Sequence, residues 1–381
     1  MNPSPLVLIP QAAASVDRTG FSIGWDHAHH GLVPPTELLH PGAPVCQGWT
    51  AGKAVFGQRT LAGQRNTRLW LQLRLQAWRR GIGFDELQVT PNFLGQLRTQ
   101  RCPVLRCALG GAAGQAQAAV IVRLNPQAGY AAGNLATLST QAEQLLEGLS
   151  VQQAVRNARA AHAGGEAVQG YGAAIWWRLA ALRAFATPLP FAQAAALPLA
   201  VMPPNRVRLL NAAQGLQTLV TQLFIGSGWS ARCRALGLLL PTQTQRLDFN
   251  LFVGAMAPRV LEAAADATPL RLALEDAWLN ERVLRRWQHL VLSLGEAVTH
   301  DVLEGAVQAG LTAVRIVSHA PGQATQAWGL PPASPPQAGQ RAATPPMRGP
   351  GAVASCAARG LSLRAARALR TACCTLRPSK T

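Results

Sequence analysis

Lysine is nearly missing from this chain of 381 residues: only Lys53 and Lys380 occur, and every other base is arginine. With abundant Ala, Gly and Pro, that usage is what codon bias in a GC-rich genome produces. It is equally what a selected basic surface gives, so the net charge of +18 does not decide between the two. Acidic residues are scarce, and none follows Glu304. Charged residues are only 14% of the chain against 49% hydrophobic, which excludes a chain disordered throughout. No phosphate-cradling glycine loop, dinucleotide fingerprint, nucleophile elbow or zinc-protease helix occurs. The uncharged stretch from Ala184 to Asn205 is long enough to span a bilayer. Pro188, Pro190, Pro198, Pro203 and Pro204 interrupt it, so a proline-broken connector is expected rather than a membrane partner. The seven cysteines are odd in number and widely spread, which argues against a disulfide framework and for a reducing, cytoplasmic setting. LVLI at 6–9 is interrupted by Pro10 with no base before Arg18, and no signal peptide is expected.

What is present reads as mainly α. Residues 1–89 divide into a Gly- and Pro-rich stretch to about 60, expected to be irregular, and the segment RNTRLWLQLRLQAWRR at 65–80. That segment alternates like a strand at Leu71, Leu73 and Leu75. Helical spacing instead places Arg65, Arg68, Gln72, Gln76 and Arg79 on one face, and Gly81 is a helix stop, so a helix is expected. Trp70 and Trp78 flank Arg74 at helical spacing, within reach of cation–π contact. Residues 90–150 form a compact module. An all-α domain is expected over 151–330, with helices at 151–163, 173–186, 206–225, 228–238, 246–265 and 270–297, in which Trp176-Trp177-Arg178 and Trp278 with Trp287 serve as core anchors. The tail 331–381 is Pro-, Ala- and Arg-rich and is expected to be disordered, with one short basic helix at 359–371.

The module begins with RCPVLRCALG at 101–110 and continues with IVRLNPQAGYAAGNLATLS at 121–139. Asn125-Pro126, Ala128-Gly129 and Gly133-Asn134 are turn chemistry. Thr140 with Glu143 is a capping box, opening a helix that Gly148 ends. Two short strands and a capped helix, ββα, are the result. Arg123, Gly129, Tyr130, Gly133, Asn134 and Leu135 resemble the conserved stretch of the HNH, or ββα-metal, nucleases. The resemblance covers about 60 residues and implies a divalent metal, Zn or Mg, and phosphodiester chemistry.

The chemistry needs cation ligands and a base to activate water, and here the pattern departs from the family. Where the resemblance places an Asp stands Val122, no histidine lies between His40 and His162, and the module's only acids are Glu143 and Glu147. A self-contained hydrolytic site is therefore not expected. Outside ligands would have to come from His27, His29 and His30, with Asp26 behind them; within the module, Cys102 and Cys107 could form half of a structural zinc site. Three readings stay open. The leading one is a degenerate HNH-like protein that binds nucleic acid through Arg65, Arg68, Arg79, Arg123 and Asn134, with no small-molecule cofactor. The second is a helical adaptor for a protein partner, and the third an active nuclease with borrowed ligands.

Overall fold

The computed structural model describes residues 17–112, 114–265, 269–311, 325, 328 and 329. All belong to the first of two units, Met1–Pro331, and the expected disordered tail with its basic helix lies outside the described residues. The architecture is mainly α, with thirteen α-helices and one two-stranded antiparallel sheet among the described residues.

The stretch expected to be irregular is instead a helical pair, α1 (Arg18–His29) and α2 (Pro44–Phe56). Asp17 caps α1 by accepting from the Gly20 N–H at 3.0 Å, and Pro44 begins α2, where its missing N–H costs nothing. The glycines that suggest breaks are packing positions. A Cβ on Gly24 would lie 1.9 Å from the Val45 carbonyl oxygen, and one on Gly48 would lie 1.9 Å from that of Phe21. The two helix backbones therefore touch. The segment at 65–80 is the helix α3 (Arg65–Arg79), packed on α1 and on α4 (Pro91–Gln96). Thr67, Leu71, Leu73, Leu75 and Ala77 face inward, while Arg65, Arg68, Gln72, Gln76 and Arg79 are exposed.

The compact module is present as β1 (Ala119–Arg123), β2 (Leu135–Ser139) and α5 (Thr140–Leu146), with Val122 opposite Ala136 in the antiparallel register. The cap sits one residue earlier than expected: Ser139, not Thr140, accepts from the Ala142 N–H at 3.3 Å. Thr140 instead bonds the Ala118 carbonyl at 3.3 Å.

Eight more helices follow: α6 (Val151–Gly164), α7 (Ala173–Phe185), α8 (Phe191–Ala195), α9 (Ala212–Leu223), α10 (Trp229–Leu238), α11 (Gln243–Ala265), α12 (Leu270–Ala277) and α13 (Glu281–Gln308). The helix expected from 206 starts only at Ala212. The one expected over 270–297 is two, because Asn280 caps α13 by accepting from the Arg282 and Val283 N–H groups. Trp278 and Trp287 cross edge to face at 5.3 Å with Phe252 against both, and all three are fully buried. One buried cluster runs from Cys102, Val122 and Leu138 through Leu179 and Phe185 to Trp278 and Trp287. Residues 90–150 and the helices after them thus share a core and are not separate domains. Among the described residues no helix is long and apolar enough to cross a membrane.

Candidate functional site

The loop between β1 and β2 is the centre of the resemblance, and its side chains hold the loop itself. Asn134 is fully buried. Its amide accepts from the Asn125 N–H at 2.7 Å and donates to the Asn125 and Gly129 carbonyls, each at 3.0 Å. It is a loop-fixing residue with no surface to offer a nucleic acid, which corrects its place among the binding residues. Arg123 is half-buried, donates to the Pro126 and Ala128 carbonyls at 2.8 Å each, and stacks over Tyr130 at 5.2 Å. Its guanidinium is largely spent on the loop. Gly129 donates its N–H to the Trp328 carbonyl at 2.8 Å, and the fully buried Trp328 indole donates to the Ala132 carbonyl at 3.1 Å. A residue 196 positions away closes the loop, which no local pattern announces.

Beneath the loop lies Arg183 of α7, 4% exposed. It donates to the carbonyls of Leu149 at 2.9 Å, Leu124 and Leu146, and so ties the end of β1 and the end of α5 to α7. Burial, with the neighbouring Arg123, pushes its pKa down to about 10. A second buried arginine, Arg178, reaches the Val104 carbonyl at 3.2 Å and Asp276 at 3.1 Å. The sequence groups Arg178 with Trp176 and Trp177 as a core anchor but leaves Arg183 unassigned, since nothing in a helical pattern distinguishes an inward guanidinium from a solvated one.

The candidate metal ligands are not brought together. Val122 is buried, and Glu143 is half-buried with its carboxyl pushed up by burial and by Glu147, against a smaller lowering from Arg80. Cys102 and Cys107 share one turn, in which the Cys102 N–H donates to the Cys107 carbonyl at 2.9 Å and Arg106 has φ +58°. Cys102 is fully buried and accepts from the Ser139 hydroxyl at 3.4 Å. His27 is buried in the α1 packing with Nδ1 on the Ile23 carbonyl at 2.8 Å. His29 stacks on Phe56 at 4.5 Å, and His30 meets the Trp70 edge at 6.5 Å. Among the described residues no three His, Cys, Asp or Glu side chains group as a cation site.

Burial holds the His27 pKa below its ordinary 6.5, outweighing the Ile23 hydrogen bond. A base whose folded pKa is depressed resists the proton that the unfolded chain accepts. Stability is therefore expected to fall as pH drops below 6.5, and to level off below the folded value. Melting curves across that window for the wild type and His27→Asn check it, since the variant should lose part of the slope. An unchanged slope would refute the assignment.

On α3 the arginines divide. Arg74 is buried, paired with Asp26 and with Glu86 at 2.6 Å, bonded to Ser22 at 3.1 Å and stacked on Trp70 at 4.5 Å. Arg65, Arg68 and Arg79 face solvent. Arg68 bonds the Gly63 carbonyl at 2.9 Å, and Arg79 pairs with Glu37 at 2.6 Å, an exposed contact that solvent screens. The chain beyond α3 meets the loop, where Tyr130 donates its N–H to the Gly83 carbonyl at 2.8 Å and accepts from the Asp85 N–H at 2.9 Å.

Comparison with protein-family models, with curated proteins and with solved structures finds no match for this chain.

Proposed function

We propose that this protein binds nucleic acid without a hydrolytic centre of its own, using the exposed α3 face beside a degenerate HNH-like loop. The observation that carries the reading is the row of Arg65, Arg68 and Arg79, which shares one solvent-facing side of α3 with Gln72 and Gln76. Guanidinium groups at helical intervals suit the phosphates of a polyanion, and the amides between them can donate to phosphate or sugar oxygens. Arg123 and Asn134 serve this reading indirectly by shaping the loop next to α3. The borrowed-ligand nuclease draws little support, because His27 and Cys102 are buried and His29 is stacked.

A titration with labelled DNA at several salt concentrations tests it. Affinity should fall steeply with salt. Arg68→Ala with Arg79→Ala should reduce the slope of log K on log salt by about 0.9 for each duplex phosphate that is no longer neutralised. A double variant with unaltered affinity and slope would remove the α3 face from the function.

A second reading, an adaptor for a protein partner, is favoured by one feature. On α11, Leu247, Leu251 and Leu261 are 54%, 49% and 67% exposed, an apolar face unlike an ordinary solvated helix. Capture of a protein through this face, with no response to DNA, would put the adaptor first.

A further inference from the structure

The arginines that the sequence leaves unassigned gather around two abutting cavities of about 1070 and 480 Å³, which share Pro203, Pro204, Asn205 and Arg271 as a common wall. The larger lies between Ala132 and Gly133 of the loop, α4 and the segment 202–209, and it is lined by Arg206, Arg208 and Arg271 with no carboxylate. The smaller adds Arg98, Arg101 and Arg106 against a single acid, Glu275. That acid is 2% exposed and already engaged: it accepts from the Met202 N–H at 2.9 Å, from Arg271 at 3.2 Å and from Arg106 at 3.2 Å. Six arginines therefore line the two cavities against one carboxylate in their walls, and Arg106 is also paired with Asp276 at 2.7 Å. Gathering like charges is unfavourable by Coulomb's law, and Arg98, Arg101 and Arg206 are exposed, so packing does not require them there.

The local backbone is shaped around this cluster. Arg206 follows Pro203 and Pro204 and holds φ +64°, a conformation most side chains avoid. Arg208 lies across Gly133 and donates to the Gln88 amide oxygen at 2.8 Å. A Cβ on Gly133 would come within 2.5 Å of the Arg208 side chain, and Gly133 itself has φ +92°. Glycine here makes room for an arginine.

We infer that this double cavity binds single-stranded nucleic acid, with successive phosphates on Arg98, Arg206 and Arg271 and a base against Phe93. The inference rests on the reading that the chain binds nucleic acid, and it names the form and the place. Phe93 is half-buried and lines the larger cavity beside the amides of Gln88, Gln96 and Asn205. An aromatic face within a positive groove is how single strands are held, by stacking plus phosphate contact. Arginines spread over two chambers suit consecutive phosphates of one strand better than a single small anion. An acidic peptide would match the charge but leave the aromatic and amide lining unused.

The test uses the full-length protein and fluorescence anisotropy with labelled oligodeoxythymidine and with a hairpin duplex. Single-strand affinity should fall about tenfold in Arg98→Ala with Arg206→Ala, and the salt slope should drop by about 0.7 for each arginine removed. Phe93→Ala should weaken the single strand and leave the duplex unchanged. Arg206→Gly suits the left-handed backbone and removes an exposed side chain with its charge, so it should weaken binding by several-fold at an unaltered melting temperature. If single-strand binding survives these changes but falls with Arg68→Ala and Arg79→Ala, the cavity inference is wrong while the α3 reading stands. If the wild type binds neither oligonucleotide, both fall. If polyglutamate displaces the strand at equal charge concentration, the ligand is an acidic peptide and the inference is overturned.

Discussion

Replacing Arg183 with methionine is expected to destabilise the protein by about 4 kcal/mol in equilibrium urea unfolding, the larger of two core effects. Two terms oppose each other. Burying a guanidinium without a carboxylate is unfavourable, as its pKa of about 10 records, and methionine removes that penalty. However, the partners are backbone carbonyls, which no side-chain substitution can delete. The Leu146 oxygen keeps the Leu149 N–H at 3.2 Å, but the Leu124 and Leu149 oxygens lose the guanidinium in a buried setting. A charge-assisted bond contributes roughly 1.5–3 kcal/mol and a stranded buried acceptor costs roughly 1–3 kcal/mol, so the carbonyl term wins. Arg183→Lys should rescue little, because one ammonium cannot span three carbonyls that a planar fork reaches together. A loss under about 1 kcal/mol for methionine would show that water replaces the fork and that Arg183 is not the bracket between β1, α5 and α7.

Asn134→Ala is expected to cost about 3 kcal/mol, from three hydrogen bonds in a fully buried position. Aspartate distinguishes the mechanism. It keeps the acceptor for the Asn125 N–H but turns the one amide nitrogen that donates both other bonds into an oxygen facing the Asn125 and Gly129 carbonyls, with a buried charge added. Asn134→Asp should therefore be at least as damaging as alanine despite its similar shape. Hydrogen exchange across 124–135 gives the local readout, with protection lost there before the rest of the chain. Tolerance of both substitutions would mean that the loop is held by Trp328 and Arg123 without the amide.

These two residues also show where sequence reading stops. Asn134 stands out in the sequence as part of a motif, and its buried triple bonding accounts for it by loop architecture, with no surface left for the binding role expected of it. Arg183 carries no signal, because its partners are carbonyls at 124, 146 and 149, and carbonyls have no sequence identity. The α1–α2 pair escapes local pattern for a related reason. Gly24 and Gly48 are helix-weakening by propensity, yet each allows a backbone contact that any Cβ would block.

The sequence alone determined the mainly helical class, the ββα order, the exposed arginine face of α3 and the buried tryptophans, because each follows from periodicity or turn chemistry within a few residues. Tertiary structure decided which arginines turn inward, how Trp328 closes the loop and how residues from 98 to 271 gather around the two cavities. Those outcomes depend on groups far apart in the chain competing for the same buried carbonyls and the same few carboxylates, and local pattern does not encode that competition.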